Sequence, residues 1–378
     1  MRVLITGADG FIGKNLQQHL AEQKDIQVVC FGCQDDPQAL RELLVNVDFV
    51  FHLAGVNRPI DPQDFQRVNQ GLTHVLCCAL ADILKTTGRK IPVAYSSSTQ
   101  ADRDNAYGLS KKGAEEELFA LQRAHNVPVY VFRLPNVFGK WCKPHYNSAV
   151  ATFCHNITRG LPITVNDPAA SLQLVYVDDL VDIFIGLLST NDSALPVTTS
   201  SGFVEAGPVH ATTVGALAQL LQTFADSRRT LKMPSVGAGL VRALYSTYVS
   251  YLPPESFTYM LPSHDDPRGV FVEILKTPDC GQFSYFTAHP GITRGGHYHH
   301  SKTEKFLVIK GQARFKFMHM QTGQSHELLT SGDRPEIVET VPGWTHDITN
   351  IGSDEMTVMV WANEVFDRAR PDTFACPL

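Results

Sequence analysis

The hydrophobic pattern of this chain changes its period once, and that change is the strongest constraint on its fold. From residue 1 to about 190, short apolar runs typical of buried strands alternate with segments of helical spacing. Such alternation predicts a parallel, doubly wound α/β sheet of the Rossmann type. The predicted strands are Val3–Thr6, Gln27–Phe31, Phe49–Leu53, Pro92–Ser96 and Val129–Leu134, and the predicted helices are Phe11–Ala21, Leu72–Leu84 and Lys111–Ala124.

From about residue 263 the pattern contains strands only, separated by turns rich in Gly, Pro and Asp. The predicted strands here are Gly269–Leu275, Gln282–Thr287, Glu304–Ile309, Ala313–Met320, Ile337–Thr340 and Met356–Trp361. This predicts an all-β barrel or sandwich. The 378 residues also exceed the ~250–300 at which one hydrophobic core stops growing. We therefore predict an α/β domain over 1–247, a linker over 248–262 and a β domain over 263–378.

Charge and composition exclude several classes of partner. The net charge is −6 and the longest clusters of Lys and Arg are doublets, whereas nucleic-acid binding needs a basic patch. No apolar run approaches the ~20 residues that span a bilayer, and the first predicted strand follows the initial Met without a leader. The eight cysteines show no disulfide spacing. We expect a cytoplasmic protein without nucleic-acid or membrane partners.

A glycine-rich turn joins the first predicted strand to the first predicted helix, with the sequence TGADGFIG at residues 6–13. Glycines allow a tight turn and a close approach to a pyrophosphate, and the helix N-terminus adds N–H groups and a positive dipole end. The strand before the turn and the helix after it give the context that a dinucleotide site needs. The candidate cofactor-binding residues here are Gly7, Asp9, Gly10, Phe11, Ile12, Gly13 and Lys14.

A tyrosine and a lysine four residues apart, Tyr107 and Lys111, begin the third predicted helix and share one of its faces. A phenol has a pKa near 10, and a neighbouring ammonium favours the phenolate and lowers that pKa. The serines at 96–98 end the preceding strand, where a hydroxyl can bind a substrate carbonyl oxygen. This set predicts proton transfer to or from a carbonyl group.

Together these motifs resemble the extended short-chain dehydrogenase/reductase family of nucleotide-sugar enzymes, over about residues 1–245. The resemblance also includes HLAG at 52–55, RLPNVFG at 133–139 and VDDL at 177–180. It implies that Tyr107 protonates a carbonyl oxygen and that Lys111 lowers the pKa of Tyr107 and binds the nicotinamide ribose. It places Ser98, with Ser97 as the alternative, at the catalytic hydroxyl. It further implies that Leu53 and Ala54 line the cofactor site and that Asn136 lies by the nicotinamide or the substrate.

The choice between NADPH and NADH depends on the end of the second strand. An acid closing that strand would bind the ribose 2′-hydroxyl of NAD, but here the strand ends in Phe31-Gly32-Cys33-Gln34 and Asp35 comes later. Lys14 follows the glycine motif and could meet a 2′-phosphate. We therefore predict NADPH, with Asp35 as a ribose ligand of NADH the alternative.

A second site is indicated by His297, His299 and Glu304, followed by His346. Residues i and i+2 of a strand face the same way, so His297 and His299 can bind one ion. Imidazole and carboxylate ligands suit zinc, iron, manganese or nickel. The spacing resembles the two motifs of the cupin fold. The second motif departs from the pattern at one point, since Pro342 is adjacent to Gly343 rather than one residue removed from it.

A reductase followed by a cupin resembles the bifunctional nucleotide-sugar epimerase-reductases of bacterial capsule and O-antigen synthesis. The most specific passages are HLAGVNRP at 52–59, FGKWCKP at 138–144, YSTY at 245–248 and EKFLV at 304–308. The resemblance implies that the cupin epimerises carbon-3 of UDP-2-acetamido-2,6-dideoxy-L-arabino-hexos-4-ulose. The reductase would then reduce carbon-4 with NADPH to UDP-N-acetyl-6-deoxy-L-talosamine, a precursor of UDP-N-acetyl-L-fucosamine. The resemblance also implies zinc as the metal of the cupin. Because both parent folds often dimerise, we expect a homodimer by analogy.

Three points stay open from the sequence. The first is the epimerase base, which could be His300, Tyr298 or Lys302. The second is the group that binds the UDP phosphates, for which the candidates are the basic side chains of Arg58, Lys140, Lys143 and Arg159. The alternative function is a reductase whose cupin is a non-catalytic dimerisation or binding module. A dinucleotide-sensing regulator is disfavoured because Tyr107 and Lys111 are both present.

Overall fold

The computed structural model describes residues 1–189, 202–261, 263–266, 269–272, 275, 281–364 and 369–378. The helices are α1 (Phe11–Ala21), α2 (Leu40–Leu44), α3 (Leu72–Thr87), α4 (Ala106–His125), α5 (Ala149–Ile157), α6 (Val177–Gly186), α7 (Val214–Thr230) and α8 (Gly239–Ser250). A π-helical segment covers Phe65–Gly71, and short 3₁₀ turns cover Pro37–Ala39, Thr99–Asp102 and Pro254–Ser256.

The first strands are β1 (Arg2–Thr6), β2 (Gln27–Phe31), β3 (Phe49–His52), β4 (Val93–Ser98), β5 (Val129–Leu134), β6 (Asn136–Phe138), β7 (Ser171–Tyr176), β8 (His210–Thr213), β9 (Thr258–Met260) and β10 (Ser263–Asp266). The later strands are β11 (Gly269–Val272), β12 (Gln282–Ala288), β13 (Thr293–Tyr298), β14 (Glu304–Lys310), β15 (Gln312–His319), β16 (Ser325–Ser331), β17 (Glu336–Glu339), β18 (Trp344–Asn350), β19 (Met356–Ala362) and β20 (Phe374–Ala375). The chain divides into two compact units, one of Met1–Ser148 with Leu172–Ala211 and one of Ala149–Ser171 with Thr212–Leu378.

The first unit contains the predicted parallel sheet, in the order β2-β1-β3-β4-β5. The chain passes from β1 to β2 on one side and then returns to β3 on the other side of β1. Ligands of doubly wound sheets bind at the carboxyl ends of the strands where the order reverses in this way. Both Gly7, after β1, and Leu53, after β3, follow strands that meet at this point.

One strand of this sheet differs from the prediction that its strands are buried on both faces. Strand β2 is only partly buried, because it lies at the edge of the sheet and has a neighbour on one side only. The central strands β3 and β4 are buried along their whole length. Helix α4 begins at Ala106, so Tyr107 and Lys111 both lie near its start as the Tyr/Lys motif predicts, and the helix is longer than the predicted Lys111–Ala124. The side chain of Asn105 caps it by accepting a hydrogen bond from the backbone of Gly108.

The second unit contains the predicted all-β domain as two five-stranded sheets. Their orders are β12-β19-β14-β17-β9 and β16-β15-β18-β13-β20, and the paired strands run antiparallel. Phe306 of the first sheet packs against Phe315 of the second, with ring centroids 5.6 Å apart. The core therefore lies between the sheets, as in a cupin barrel. Strands β10 and β11 form a separate hairpin.

Three helices accompany the barrel in this unit, α5, α7 and α8. The ring of Phe224 on α7 packs against Tyr245 and Tyr248 on α8, at centroid distances of 5.1 and 5.8 Å. Within the segment predicted as a linker, β9 pairs with β17 of the barrel. Pro262, the last residue of that segment, lies outside the described residues. The predicted domain boundaries at 247 and 263 stay a prediction.

Two further features bear on the expectations from composition. Among the residues that the structure describes, no helix combines the length and the apolar character required to cross a membrane. The described cysteines are all free thiols. Cys280 lies outside the described residues.

Candidate nucleotide site and metal centre

The glycine-rich turn after β1 is a cradle that only glycines can form. Gly7 has a φ of +71°, and a β-carbon at this position would lie 2.6 Å from the backbone nitrogen of Ala54. A β-carbon on Gly13 would collide with the carbonyl oxygen of Gly7. Helix α1 begins directly afterwards, at Phe11. Backbone without side chains at a helix N-terminus is the arrangement that a dinucleotide pyrophosphate requires, so the cradle fits such a cofactor.

A chain of buried hydrogen bonds fixes the loop that faces this cradle. The hydroxyl of Thr73 donates to the carbonyl of Asn69 (2.6 Å), so it accepts from Nε2 of His52 (2.8 Å). Nδ1 of His52 therefore accepts from the hydroxyl of Thr6 (2.7 Å), whose oxygen accepts from the backbone of Ala54 (3.3 Å). Burial lowers the pKa of His52 to about 3, so the ring is neutral. Leu53 and Ala54 are thereby held beside Gly7.

Ser98 and Tyr107 meet where β4 ends and α4 begins. Their side chains interact, and the Ser98 oxygen accepts a hydrogen bond from the backbone of Gln100 at 3.1 Å. Burial raises the pKa of Tyr107, and the interaction with Ser98 opposes that rise. This direction differs from the lowering that the Tyr/Lys spacing predicts, because desolvation of the phenol is the largest effect and the interaction with Ser98 opposes it only in part. The phenol is protonated near neutrality, in the form that can donate a proton.

Ser97, the alternative to Ser98, is engaged elsewhere. Its hydroxyl donates to the carboxylate of Glu115, which is buried and also binds Arg133 through two nitrogens at 2.7 and 3.0 Å. Successive residues of β4 point to opposite faces, so only one of the two serines can face Tyr107. This geometry supports Ser98 as the catalytic hydroxyl, which remains a proposal.

Lys111 is buried, and its ammonium contacts residues of strand β4, which ends at Ser98. Nζ donates to the carbonyl of Ser96 at 2.8 Å and lies 4.9 Å from the centroid of the Tyr95 ring. A β-carbon on Gly55 would lie 3.1 Å from this Nζ, so the glycine leaves room for the ammonium. Burial lowers the pKa of Lys111 to about 8. The structure thus places Ser98, Tyr107 and Lys111 around one end of the sheet.

Asn69 is a site residue that the sequence reasoning missed. It lies on the π-helical segment, a helix form often found at functional sites. Its buried amide accepts from the backbone of Val56 (2.8 Å) and donates to the Val56 carbonyl (3.0 Å) and to the hydroxyl of Ser110 (2.9 Å). It therefore ties the loop after β3 to the residue next to Lys111. A single Asn in a helical pattern gave no local signal for this role.

The remaining candidate cofactor ligands lie at or near the cradle. Lys14 is half-buried in the first turn of α1. Asp35 is turned back toward β2, since its carboxylate accepts from the backbone of Gly32 at 2.7 Å, and the carboxylate of Asp9 lies against the same glycine. Asn136 is exposed, and its amide donates to the carbonyl of Gln173 at 3.3 Å.

Lys140 is removed from the candidates for phosphate binding. It is 1% exposed, and its ammonium lies 2.6 Å from the carboxylate of Asp178, which is also 3.3 Å from His19. A lysine buried in such a pair holds structure together and does not meet a soluble anion. Arg58 and Lys143 are exposed, and Arg159 donates to the carbonyl of Tyr251 at 2.9 Å.

The four predicted metal ligands converge inside the barrel. They belong to three strands or their ends, with His297 on β13, Glu304 on β14, His346 on β18 and His299 just after β13. One ligand atom from each lies within 4.8 Å of the others. His297 pairs directly with His346 across the ladder between β13 and β18. The spacing in sequence therefore predicted the group correctly as a cluster, while metal binding itself stays a prediction.

A β-bulge directs His297 toward this cluster. The register between β13 and β18 shifts between Gly295 and His297, and Gly295 and Gly296 have φ values of +95° and +70°. A β-carbon on Gly295 would lie 3.0 Å from the carbonyl oxygen of His346. Only glycine allows the strand to bend this close to its neighbour, which explains the Gly-Gly pair before the first ligand.

The protonation of the cluster suits a cation. Burial lowers the pKa of His346 well below its ordinary value and that of His297 to about 4, so both imidazoles are neutral. Among the described residues, neither ring nitrogen of His346 has a hydrogen-bond partner, although the ring is buried. Burial raises the pKa of Glu304, but His299, 3.1 Å away, and Lys302 outweigh that effect and lower it. Neutral imidazoles around a carboxylate fit a divalent metal.

The three candidate bases lie differently with respect to this cluster. Nζ of Lys302 is 3.4 Å from Oε1 of Glu304, and the side chain is buried. The rings of Tyr298 and His300 instead pack against Phe374, with centroids 5.5 and 5.0 Å away. Of the three, Lys302 brings its ionisable group to the predicted metal ligands.

Comparison with known families matches both parts of the chain. Residues 3–198 match the NAD dependent epimerase/dehydratase family. Residues 264–374 match the polysaccharide biosynthesis C-terminal domain. The two matches correspond to the Rossmann-type sheet and to the barrel.

Individual relatives extend over the whole chain. A UDP-2-acetamido-2,6-beta-L-arabino-hexul-4-ose reductase of Pseudomonas aeruginosa is 57% identical over 100% of this chain and 98% of its own length. The crystal structure of the capsular polysaccharide assembling protein CapF from Staphylococcus aureus is 39% identical, covers 100% of both chains and has a TM-score of 0.66. A UDP-glucuronic acid 4-epimerase from Bacillus cereus shares the fold over 60% of this chain and 83% of its own, with 19% identity and a TM-score of 0.51.

Proposed function

Because the chain belongs to the NAD-dependent epimerase/dehydratase family, as a member that continues into a polysaccharide-biosynthesis C-terminal domain, we propose that it reduces the 4-keto group of a UDP-linked sugar. This membership confirms the family resemblance drawn from the motifs. The observation that carries the proposal is the meeting of Ser98, Tyr107 and Lys111 beside the glycine cradle. The full-length identity with a reductase of that substrate class supports it.

In the proposed reduction, each of the three side chains has one task. The reduced nicotinamide, when bound, supplies the hydride to carbon-4. Tyr107 donates its phenolic proton to the oxygen that becomes the 4-hydroxyl, and Ser98 holds that oxygen by a hydrogen bond. The charge of Lys111 stabilises the phenolate that Tyr107 becomes, and its ammonium binds the nicotinamide ribose. Gly7, Gly10 and Gly13 leave room for the pyrophosphate.

We propose NADPH as the cofactor, with Lys14 at its 2′-phosphate. Asp35 favours the alternative, NADH, because its carboxylate lies at the end of β2, where the adenosine ribose binds in this fold. The comparison of Lys14→Glu with wild type separates them. If Lys14 binds the phosphate, the variant's KM for NADPH rises about tenfold, on the order of 1.4 kcal/mol, and its KM for NADH stays the same. If wild type prefers NADH and Asp35→Ala abolishes that preference, the alternative holds.

We further propose that the barrel epimerises carbon-3 of the same sugar, UDP-2-acetamido-2,6-dideoxy-L-arabino-hexos-4-ulose. The proton on carbon-3 is acidic because the 4-ketone is adjacent, provided that the enolate oxygen is stabilised. His297, His299, Glu304 and His346 would hold zinc, whose charge, when bound, stabilises that oxyanion. Lys302 is placed to move the proton. Reduction of carbon-4 then fixes the new configuration and gives UDP-N-acetyl-6-deoxy-L-talosamine, a precursor of UDP-N-acetyl-L-fucosamine.

The experiment that tests the second activity is NMR of the enzyme with this 4-keto sugar in deuterated water, without a nicotinamide. Deuterium at carbon-3 supports catalysed enolisation, and its loss in His297→Ala assigns the exchange to the metal centre. No exchange in wild type, with reduction once NADPH is added, would leave the alternative function. In that case the chain is a reductase whose barrel is a non-catalytic dimerisation or binding module.

We propose a homodimer in the cytoplasm, by analogy with other enzymes of these folds, for which two-fold dimers are common. Sedimentation equilibrium at micromolar concentration tests the dimer. A single species at the monomer mass of 41.8 kDa would contradict it.

A further inference from the structure

The end of the chain folds back onto the strands that carry the metal ligands. We call residues 372–376 the C-terminal clasp. Within it, β20 pairs with β13, so that Ala375 lies opposite His297 and Phe374 opposite Tyr298. The clasp thus forms the edge of the sheet next to the first ligand strand.

The clasp begins at Asp372, whose carboxylate organises the loop between β13 and β14. One oxygen accepts from the backbone of His300 at 2.9 Å. The other accepts from the backbones of Ser301 (2.9 Å) and Lys302 (2.7 Å) and from the Ser301 hydroxyl (3.0 Å). Three successive backbone N–H groups around one carboxylate fix the path of this loop. The loop connects His299 to Glu304, so its path sets where two of the four ligands lie.

The backbone of Asp372 also binds a ligand directly. Its carbonyl oxygen accepts a hydrogen bond from Nδ1 of His299 at 2.7 Å. This bond turns Nδ1 toward the clasp, so Nε2 is the nitrogen that faces the cluster, 3.1 Å from Glu304, and the one that would ligate a metal. Asp372 adopts a φ of +30°, a conformation that L-residues rarely take, and the hydrogen bonds on both its groups hold it there.

The remaining clasp residues reach the other side of the site. The backbone of Cys376 donates to the carbonyl of Gly296 at 2.7 Å, within the bulge before His297. Its own carbonyl accepts from the hydroxyl of Thr345 at 2.6 Å, next to His346. The hydroxyl of Thr373 accepts from Nζ of Lys302 at 2.9 Å. Every strand that supplies a histidine ligand is therefore bonded to the clasp.

From these contacts we propose that the C-terminal clasp holds the ligands of the metal centre in position and that Asp372 is a positioning residue for His299 and Glu304. The inference rests on the proposed metal binding and goes beyond it, because no local pattern links residue 372 to the ligands. Hydrogen-bonding partners of metal-bound histidines orient the ring and select its tautomer, and their loss typically weakens metal affinity by about 10–100-fold.

The test uses the full chain, stripped of metal with a chelator and titrated with zinc ions against a competing indicator. Asp372→Ala should weaken zinc affinity by about 10–100-fold relative to wild type. The control is Asp354→Ala, an exposed acid of the same barrel, which should bind like wild type. The visible spectrum of the cobalt-loaded protein is a second readout, since a displaced His299 changes the ligand field without any turnover.

Two outcomes separate this inference from the proposal beneath it. If wild type binds neither zinc nor cobalt, the metal centre itself is refuted. If wild type binds zinc and Asp372→Ala binds it equally well with the same cobalt spectrum, the clasp is refuted and the metal centre stands. Should Asp372→Ala fail to fold, Asp372→Asn decides, because an amide group facing backbone N–H donors should still weaken affinity measurably. Wild-type affinity in a folded Asp372→Asn protein would then overturn the role of the carboxylate.

Discussion

Arg228 of α7 and Lys305 of β14 bind the same carboxylate, that of Glu339 on β17. Lys305 and Glu339 are each 3% exposed, so their charges are almost fully removed from water. Arg228 also donates to the carbonyl of Ser256 at 2.6 Å and lies 4.9 Å from the ring of Tyr259. The helix is therefore joined to the barrel by a charge cluster in which one anion serves two cations.

Removing the anion should be the most damaging single change in this cluster. Glu339→Gln leaves the buried charges of Arg228 and Lys305 without a counter-ion, and we expect a loss of about 3–5 kcal/mol in the free energy of unfolding. Chemical denaturation followed by circular dichroism measures it. The matched control is Asp226→Asn on the same helix, which breaks an exposed pair with Arg229 and should cost no more than ~1 kcal/mol. Equal losses in the two variants would contradict the role of burial.

The same carboxylate makes a predictable contribution to stability at low pH. Burial raises the pKa of Glu339, but Arg228 and Lys305 outweigh it and lower the pKa to about 2. A depressed pKa means that the stabilisation is present above the ordinary value of 4.5 and is lost as pH falls toward 2. Wild type should therefore lose stability relative to Glu339→Gln over this interval. If the free energies of unfolding of wild type and Glu339→Gln changed in parallel from pH 5 to 2.5, the ionised carboxylate would make no contribution to stability.

The parts of the fold that the sequence predicted are those with a strong local signal. The glycine turn at 6–13 and the helix that follows it are in place, because the Gly pattern and the apolar period are both properties of adjacent residues. Helix α8 was missed, because Tyr245 and Tyr248 have weak helix propensity and the helix depends on packing against Phe224. Tertiary contacts of this kind leave no mark on a single segment.

In the candidate sites, too, residues with a local sequence signal were predicted and residues that depend on tertiary contacts were missed. His297, His299 and Glu304 stand close together in sequence, and their spacing identified them as a group together with His346. Asp372 supports that group from a distance along the chain of about 70 residues, and only the strand pairing of the clasp brings it there. Asn69 supports Lys111 in a similar way, through Ser110. The clustering of the predicted ligands could be read from their spacing, whereas the residues proposed to orient them required the topology.

Tyr107→Phe should separate the two proposed activities. The variant keeps the ring but removes the phenolic proton, so reduction of the 4-ketone should fall by about 10²–10⁴-fold. Exchange at carbon-3 should continue at the wild-type rate, because the phenol has no place in the metal centre. The control Tyr130→Phe alters a phenol on β5 that takes no part in the proposed site, and it should reduce substrate normally. Unimpaired oxidation of the reduced nicotinamide by Tyr107→Phe would exclude Tyr107 as the acid.

Burying the charged Lys111 should lower the free energy of unfolding, although the residue is required for the proposed reduction. Its pKa is lowered from 10.5 to about 8 by burial, so the folded state holds this proton less tightly than the unfolded state does. The cost is fully present below pH 8 and disappears as pH rises toward 10.5. Lys111→Met should therefore be more stable than wild type at pH 7, with the difference shrinking by pH 10, and it should be inactive as a reductase.

Denaturant unfolding at pH 7, 8, 9 and 10 measures this difference for Lys111→Met. Lys112→Met is the matched control, because its neighbouring ammonium is exposed and should show no such trend. A Lys111→Met protein that is less stable than wild type at every pH would mean that the hydrogen bond to Ser96 outweighs the cost of burial.

Lys302 is the strongest candidate for the proton-transfer group of the barrel, because Nζ lies 3.4 Å from Glu304 and is held by Thr373 at 2.9 Å. Lys302→Met should reduce deuterium exchange at carbon-3 by about 10²–10⁴-fold while the protein keeps its zinc, measured by mass spectrometry of the metal. Lys310→Met, at an exposed end of β14, is the control and should exchange normally. The assignment to Lys302 is contradicted if Lys302→Met exchanges normally while His300→Gln or Tyr298→Phe loses exchange. The proton-transfer role would then belong to His300 or Tyr298, whichever variant loses exchange. Lys302 would instead balance the charge of Glu304.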